Sequence, residues 1–313
     1  MPDRGPWGGV YPAPVCPMRP DQSIDFESLA RLYGWLGRRP GIAGLVVNAN
    51  AGEGTFLSQD ERNAVVAAAR KVVPPGVRIV AGLVASSTAE GIAQLREVQA
   101  SGADAALVFP VRDWLISRQA GAAERYFERL SAAADLPIFA FQSPHTRGAA
   151  AYELATLTRI AALPTVVGIK NAVWEVRRYQ EEYRHLKQVH PALAVLSAND
   201  SHVLATLAIG ADGVLLGLAG LVPDLIVRLV ESLARADLAD ARAADLQLWP
   251  ISQAIYHTPP YALRHTRTKA ALKILGLIDH DTVREPLLGL DADGTTAVRA
   301  ALEASGLFRL PSG

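Results

Sequence analysis

Lys170 is the side chain whose position most favours covalent chemistry. It directly follows the apolar run 166–169 and precedes a segment with helical spacing of apolar residues. An amine held among apolar groups loses hydration, which favours its neutral form, whereas an ordinary lysine is neutral in only roughly one molecule in 2,500 at pH 7. A neutral lysine amine is a nucleophile that forms Schiff bases with ketones and aldehydes. The alternative is a structural ion pair with Asp200 or Glu53.

Other polar side chains follow apolar runs in the same way. His145 suits general acid–base catalysis, because imidazole titrates near neutral pH. Arg112 and Arg147 carry guanidinium groups that recognise carboxylates through paired hydrogen bonds. Asn199 can bind substrate hydroxyls, and the adjacent Asp200 either does the same or caps the next helix. A solvated loop histidine and two surface arginines are the plainer alternatives.

The elements that would position these side chains alternate along the chain. Short apolar runs are uninterrupted, as expected for parallel strands buried on both faces, and amphipathic segments with helical spacing separate them. Two of these segments open with Ser58 and Ser87, each followed three positions later by a glutamate, as in the capping box. The runs predicted as strands cover residues 9–11, 44–47, 78–84, 105–109, 137–141, 166–169, 193–196 and 213–216.

Eight such strands form either a closed barrel or an open doubly wound sheet. The open sheet usually carries Gly-x-Gly-x-x-Gly after its first strand, and this sequence has neither that motif nor a Walker loop or Gly-x-Ser-x-Gly. We therefore predict an α/β fold, a (β/α)8 TIM barrel over residues 1–235 with a C-terminal helical appendage over residues 236–313. Helices of the appendage are predicted at 239–256, 264–275 and 295–305. The active site of such a barrel lies at the C-terminal ends of its strands, which all the candidate side chains follow.

Composition and charge exclude several classes of protein. Of 313 residues, 50% are hydrophobic and 20% charged, and Lys+Arg (31) balances Asp+Glu (31). Zero net charge gives no electrostatic case for a nucleic acid or an anionic membrane as partner, and no apolar run is long enough to span a bilayer. The single cysteine, Cys16, excludes an internal disulfide, and the start of the chain lacks the apolar stretch of a signal peptide. We expect a cytoplasmic protein that binds a small molecule and needs no metal or cofactor.

Several short motifs occur in a characteristic order along almost the whole chain. They are Gly9-Val10-Tyr11-Pro12-Ala13, Gly52-Glu53-Gly54-Thr55-Phe56-Leu57-Ser58, Gly102-Ala103-Asp104, Val167-Gly168-Ile169-Lys170, Gly210-Ala211-Asp212-Gly213 and Lys269-Ala270-Ala271-Leu272. In this order they resemble the dihydrodipicolinate synthase / N-acetylneuraminate lyase family. The resemblance implies a (β/α)8 barrel with C-terminal helices that forms a homo-oligomer, a tetramer or a dimer. It also implies class I chemistry, in which Lys170 forms a Schiff base with pyruvate or another 2-oxo acid.

The chain departs from this family where the family's proton relay lies. The usual Gly-Thr-Thr-Gly-Glu loop is replaced by residues 49–53, in which Asn50 and Ala51 stand in place of the two threonines. The usual tyrosine at the end of the fifth strand is Phe141, which can neither donate nor accept a proton. The tyrosine pair after the fourth strand aligns with Val111-Arg112. We therefore predict a divergent member that is not an authentic dihydrodipicolinate synthase.

The resemblance also suggests roles for the remaining candidates. It places Asn50, Ala51, Phe141 and Arg112 around the substrate, and it puts Arg147 one position beyond a substrate-binding arginine of the family. His145 is then the candidate that replaces the lost relay.

Two functions follow from this interpretation. The first is a lyase in which Lys170 serves aldol cleavage or condensation, or dehydration, of a 2-oxo acid. The alternative is a non-catalytic barrel that binds a 2-oxo acid as a sensor or scaffold. Two further expectations are structural: Glu53 fixes its own loop, and the basic cluster at residues 264–269 forms a solvated helix face or a subunit contact.

Overall fold

Eight parallel strands form a barrel in a computed structural model that describes residues 5–307. The first four residues of the predicted barrel and the last six of the predicted appendage lie outside the described residues. The strands are β1 (Gly9–Pro12), β2 (Gly44–Val47), β3 (Arg78–Leu83), β4 (Ala105–Val108), β5 (Ile138–Gln142), β6 (Val166–Asn171), β7 (Ala194–Ser197) and β8 (Gly213–Leu216).

The order of the strands closes the sheet on itself. Each strand from β2 to β7 pairs with the next in the chain, and β1 pairs with β8 in register from Gly9 opposite Gly213. The remaining gap, between β1 and β2, is bridged where the amide of Ala43 donates to the carbonyl oxygen of Val10 at 2.9 Å. The predicted (β/α)8 barrel is thereby confirmed, and all its strands end at one rim, where its active site is expected.

Helices cover the outside of the barrel because each connection between parallel strands must cross back over the sheet. They are α1 (Phe26–Gly37), α2 (Gln59–Val72), α3 (Thr88–Ala100), α4 (Ala122–Ser131), α5 (Leu154–Ala161), α6 (Val176–Val189), α7 (Val203–Ile209) and α8 (Pro223–Ala234). The predicted capping box is complete at Ser58, where Glu61 returns a hydrogen bond to the cap. At Ser87 it is half formed, because the Glu90 carboxylate accepts from the amide of Ser86 instead.

Large apolar side chains fill the barrel interior. Tyr11, Val46, Leu107, Phe139 and Leu196 all belong to one buried cluster inside the strands, and each is fully buried. A barrel filled by such layers is a packed core rather than a pore. Space for a ligand therefore remains only above these layers, at the C-terminal rim.

Three further helices follow the barrel: α9 (Leu238–Ser252), α10 (Arg264–Ile274) and α11 (Ala292–Ala304). All three helices of the appendage are confirmed, although α11 begins three residues earlier than predicted. It does so because the Asp291 carboxylate caps it by accepting from the amide of Gly294 at 2.7 Å. The boundary at residue 235 stays a prediction. Within residues 5–307, no helix is long and apolar enough to cross a membrane.

The expectation of a solvated face for the basic cluster at residues 264–269 is wrong. Residues 265–269 are all buried. Lys269 lies against Glu53, with Nζ 2.5 Å from Oε1, and also donates to the carbonyl oxygen of Thr282 at 2.7 Å. Arg267 donates to the carbonyl oxygen of Pro259 at 3.0 Å. Charged side chains are buried here because partners from distant parts of the chain satisfy them.

We expect Gly54→Ala to destabilise the barrel. A Cβ at residue 54 would lie 1.9 Å from the carbonyl oxygen of Asn48, a backbone atom that cannot rotate away. The backbone shift that this requires should lower the free energy of unfolding by about 1–3 kcal/mol, as measured by urea denaturation. The matched control is Gly289→Ala, because nothing lies within 4 Å of its new Cβ. Equal stability of the two variants would contradict the prediction.

Candidate active site

A cavity of about 370 Å³ opens at the C-terminal rim of the barrel. Six of the eight predicted site residues line it: Asn50, Ala51, Arg112, Phe141, Arg147 and Lys170. His145 and Asn199 do not line it. The two arginines and Asn50 are exposed, whereas Lys170 is buried.

Lys170 presents its amine to this cavity between two aromatic rings. The side chain lies near the end of β6 and is 8% exposed. Its Nζ lies 5.4 Å from the centroid of the Phe141 ring and 6.0 Å from that of Phe109. Within residues 5–307, the amine has no hydrogen bond and no carboxylate oxygen within 4.0 Å. Burial lowers the pKa of Lys170 to about 8, against the opposing charge of Asp200.

Asp200 is the carboxylate that acts on this amine. It follows β7, and its Oδ1 accepts a hydrogen bond from the amide of Leu218 at 2.9 Å. Burial raises its pKa to about 6, which the Leu218 amide and the Lys170 charge partly oppose. Asp200 lines the cavity. It does not cap the next helix, because no side chain caps the start of α7. The second alternative for Lys170, an ion pair with Glu53, is excluded because Glu53 pairs with Lys269.

The loop after β2 forms one wall of the cavity. Asn48 and Glu53 both have positive φ, 56° and 55°, so the loop turns sharply at each end of the segment that carries Asn50 and Ala51. Glu53 is completely buried, and its Oε2 also accepts from the amide of Arg284 at 3.1 Å. Glu53 thus holds its own loop, as expected, by tying it to the C-terminal part of the chain.

Asn199 and His145 are engaged in neighbouring structure. Asn199 accepts from the amide of Ser201 at 3.0 Å and donates to the carbonyl oxygen of Val173 at 3.3 Å. The His145 Nε2 lies 3.1 Å from Oε1 of the buried Glu182. The same carboxylate accepts from Asn171 at 2.8 Å, and so holds the end of β6 next to Lys170. The roles suggested for His145 and Asn199 stay predictions.

Substitution of His145 distinguishes a structural role of this side chain from a catalytic one. We expect His145→Ala to lower the free energy of unfolding by about 1 kcal/mol, because Glu182 loses one of its partners. Formation of a lysine adduct, measured as described below, should proceed at the wild-type rate. A large loss of adduct formation at unchanged stability would instead support the catalytic role.

Several cavity residues come from the appendage and were missed by sequence reasoning. Tyr256, Tyr261, Arg264 and His265 all line the cavity. Tyr261 is 40% exposed at the rim, its ring 6.2 Å from that of Trp174, and the Arg264 guanidinium lies 4.4 Å from the centroid of the Tyr261 ring. The available signal was the basic cluster itself, which begins at Arg264, but nothing in its local pattern points back to the barrel rim.

Fold and cavity together define a class of protein. A parallel (β/α)8 barrel with titratable side chains in a pocket at its C-terminal rim has the architecture of a barrel enzyme. A family model, that of the dihydrodipicolinate synthetase family, matches residues 6–305. The chain belongs to this family and is a lyase.

Individual relatives support the same assignment. The chain is 30% identical over 312 residues to a 4-hydroxy-tetrahydrodipicolinate synthase of Bifidobacterium longum, covering 98% of this chain and 97% of that protein. It is 29% identical to a DapA-like lyase of Halobacterium salinarum, over 96% of this chain and 94% of the relative.

Solved structures show the same fold. The dihydrodipicolinate synthase of Thermotoga maritima has a TM-score of 0.85 at 25% identity, covering 96% of this chain and 99% of that one. A prophage protein of the family from Escherichia coli K12, solved in complex with pyruvate, has a TM-score of 0.88 at 24% identity and the same two coverages.

Proposed function

We propose that the protein is a class I lyase in which the Lys170 amine forms a Schiff base with pyruvate or another 2-oxo acid. The observation that carries the proposal is the state of this amine, which faces the cavity without a hydrogen-bond or ion-pair partner among residues 5–307 and has a pKa lowered to about 8. At pH 7 roughly one amine in ten is then neutral, against about one in 2,500 for an ordinary lysine. Such activation by burial is what a Schiff-base lysine requires.

The chemistry follows from this intermediate. The amine attacks the C2 carbonyl carbon, and loss of water leaves an iminium ion. The iminium withdraws electrons from C3, so that the bond from C3 to C4 breaks with its electron pair moving to C3, which gives an enamine and an aldehyde. Condensation is the reverse, and loss of a leaving group next to the enamine is the dehydration variant. The Asp200 carboxylate supports each cationic stage by its negative charge.

The residues around Lys170 support a reaction other than the one named for the Bifidobacterium relative. The ring beside the amine is Phe141, and the loop residue Ala51 offers a methyl group where the family carries a hydroxyl. Arg112 and Arg147, exposed at the rim, would bind a substrate carboxylate through guanidinium hydrogen bonds, and Asn50 would contact the same part of the substrate. The proposal is therefore a divergent lyase rather than an authentic dihydrodipicolinate synthase.

Trapping with borohydride tests the proposed function. The protein is incubated with pyruvate and then with a panel of larger 2-oxo acids, reduced, and digested for peptide mass spectrometry. We expect an adduct of the mass of the reduced 2-oxo acid on Lys170. Unmodified Lys170 with every acid would contradict the proposal. If one of these 2-oxo acids nevertheless raised the melting temperature, the better account would be a non-catalytic barrel that binds the acid. The absence of hydroxyls at Ala51 and Phe141 also favours that alternative.

The rate of adduct formation should depend on pH in a defined direction. Because the pKa of Lys170 is lowered to about 8, the neutral amine becomes more abundant as the pH rises. The rate should increase about tenfold per pH unit below this value and level off above it. The negative charge of Asp200 raises the pKa of Lys170 and so opposes the effect of burial. In Asp200→Asn this charge is removed, so the inflection of the rate profile should move to lower pH. An inflection near the ordinary lysine pKa would contradict the proposed activation.

Assembly and location complete the proposal. We propose a homo-oligomer, a dimer or a tetramer. Large apolar side chains on the surface, Ile116 at 87%, Leu246 at 73% and Trp249 at 57% exposure, would suit its contacts. The molar mass in solution, measured by sedimentation, tests this directly. A cytoplasmic location is part of the same proposal.

A further inference from the structure

Tyr256 reaches the Lys170 cavity from outside the barrel. It lies in the π-helical turn Gln253–His257, directly after α9, and it lines the cavity. A Cβ on Gly217 would lie 2.2 Å from the Tyr256 hydroxyl oxygen and 3.7 Å from the Ala51 Cβ. The hydroxyl therefore occupies the space that the absent side chain of Gly217 leaves open. Single π-helical turns are frequent at functional sites.

The surroundings of this hydroxyl suit the donation of a proton. A hydrogen bond with the Thr268 side chain lowers the pKa of Tyr256, because it favours the ionised form of the hydroxyl and so makes the proton easier to give up. Burial, with the negative charge of Asp200 as the second cause, raises the pKa of Tyr256 well above its usual value. The phenol consequently stays protonated at neutral pH and is available as a donor.

A lyase of the proposed kind needs such a donor. The oxygen at C2 must leave as water before the iminium can form, and proton transfer to a leaving oxygen is ordinary general acid catalysis. Phe141 and Ala51, which both line the cavity, have no hydroxyl. The other tyrosine of the lining, Tyr261, is 40% exposed with its ring against Trp174, whereas Lys170 is buried.

We propose that Tyr256 is a catalytic acid of this site, which donates its hydroxyl proton to the oxygen at C2 of the 2-oxo acid. The inference rests on the proposed Schiff-base function and names a residue that supplies the proton. In this role the appendage contributes to the chemistry, and not only to the stability of the barrel.

The proposed step conserves atoms and electrons. Lys170 Nζ bonds to C2 with its lone pair, the C=O π pair moves to oxygen, and one of the two amine protons passes to that oxygen, which becomes the hydroxyl of a carbinolamine. The Tyr256 Oη–H bond breaks as the proton moves to this hydroxyl, the C2–O bond breaks, and water leaves while the nitrogen lone pair forms the C=N bond. The phenolate then takes the proton of the substrate hydroxyl at C4, and the electron pair of that O–H bond forms the aldehyde C=O bond. The electron pair of the C3–C4 bond forms the C2=C3 bond of the enamine, and the C=N π pair returns to the nitrogen. The phenol is restored and no oxidant or reductant is needed.

The test measures how fast pyruvate is trapped on Lys170 by borohydride in rapid-quench experiments. Tyr256→Phe should slow adduct formation about 10²-fold, within the usual range of general acid catalysis. The final extent should stay at the wild-type level, because an acid catalyst changes both directions equally. A merely structural role would lower the extent and the melting temperature together. The matched control is Tyr126→Phe, whose buried hydroxyl has no hydrogen-bond partner in the described part of the chain.

A second variant displaces the hydroxyl without removing it. Gly217 has φ −66° and ψ −40°, which alanine adopts without strain, so Gly217→Ala should act only by pushing the Tyr256 hydroxyl away. It should slow trapping as Tyr256→Phe does. The double variant should be no slower than Tyr256→Phe alone, because both substitutions act on the same hydroxyl and their effects are then not additive. If Tyr256→Phe does not fold, Gly217→Ala decides alone.

The outcomes separate this inference from the proposed function. A normal wild-type adduct with wild-type rates in Tyr256→Phe or Gly217→Ala overturns the role of Tyr256 and leaves the Schiff base intact. Fully additive effects of the two substitutions also overturn it. Absence of any adduct in the wild-type protein overturns the proposed function, and the role of Tyr256 falls with it.

Discussion

Replacing Lys170 by methionine is expected to abolish the borohydride-trapped adduct and to lower turnover of an identified substrate at least roughly a thousandfold, as removal of a nucleophile does elsewhere. The loss should be chemical rather than structural. Because the amine is buried between Phe109 and Phe141 without an ion pair, an apolar side chain of similar length removes a desolvation cost and leaves the packing in place. The melting temperature of Lys170→Met should therefore equal or exceed that of the wild type.

The measurement compares turnover and peptide masses with a control lysine. Lys273 lies on α10, half exposed, in an ion pair with Asp281 at 2.9 Å. Lys273→Met should keep both the adduct and the turnover. Turnover that survives in folded Lys170→Met would show that the reaction proceeds without a Schiff base at this residue.

The second large effect concerns stability and the contact between Glu53 and Lys269. Both side chains are completely buried, with Oε1 and Nζ 2.5 Å apart. Removal of one partner leaves the other charge buried without compensation, so Glu53→Gln and Lys269→Met should each lower the free energy of unfolding by about 3–5 kcal/mol. The double variant buries no uncompensated charge and should recover most of that loss.

Urea denaturation of the two single variants and the double variant measures this coupling directly. The exposed pair of Arg177 and Glu181, both on α6, is the matched control, because Arg177→Met should change stability by less than about 1 kcal/mol. A double variant as unstable as the sum of the single ones would contradict the prediction. Since Glu53 ends the loop that carries Asn50 and Ala51, either single variant should also weaken trapping at Lys170.

The barrel could be predicted from the sequence because its signals are local. A parallel strand buried on both faces needs an uninterrupted apolar run, and each of the eight predicted runs contains most of a strand. A helix start such as Ser58 carries its capping partner three residues away. Lys170 could be singled out for the same reason, since its position directly after a buried run places it at the C-terminal rim of the barrel.

The candidate site could be predicted only in part, because its side chains find partners far along the chain. His145 faces Glu182 on α6, and Asn199 donates to the carbonyl oxygen of Val173 in the loop after β6. The basic cluster on α10 looks like a solvated face until Glu53 is brought against Lys269. No local pattern reveals such a partner.

By itself the sequence therefore determined the class of fold, the rim at which the candidate site lies and the lysine that we propose as its nucleophile, because burial leaves a pattern in every strand. Only the tertiary structure decided which groups surround that lysine. Pairing of β6 with β7 brings Asp200 near Lys170, and packing of the appendage brings the Tyr256 hydroxyl against Gly217 beside Ala51. These contacts join separate elements, and their distances depend on how the elements pack rather than on the order of residues within any one of them.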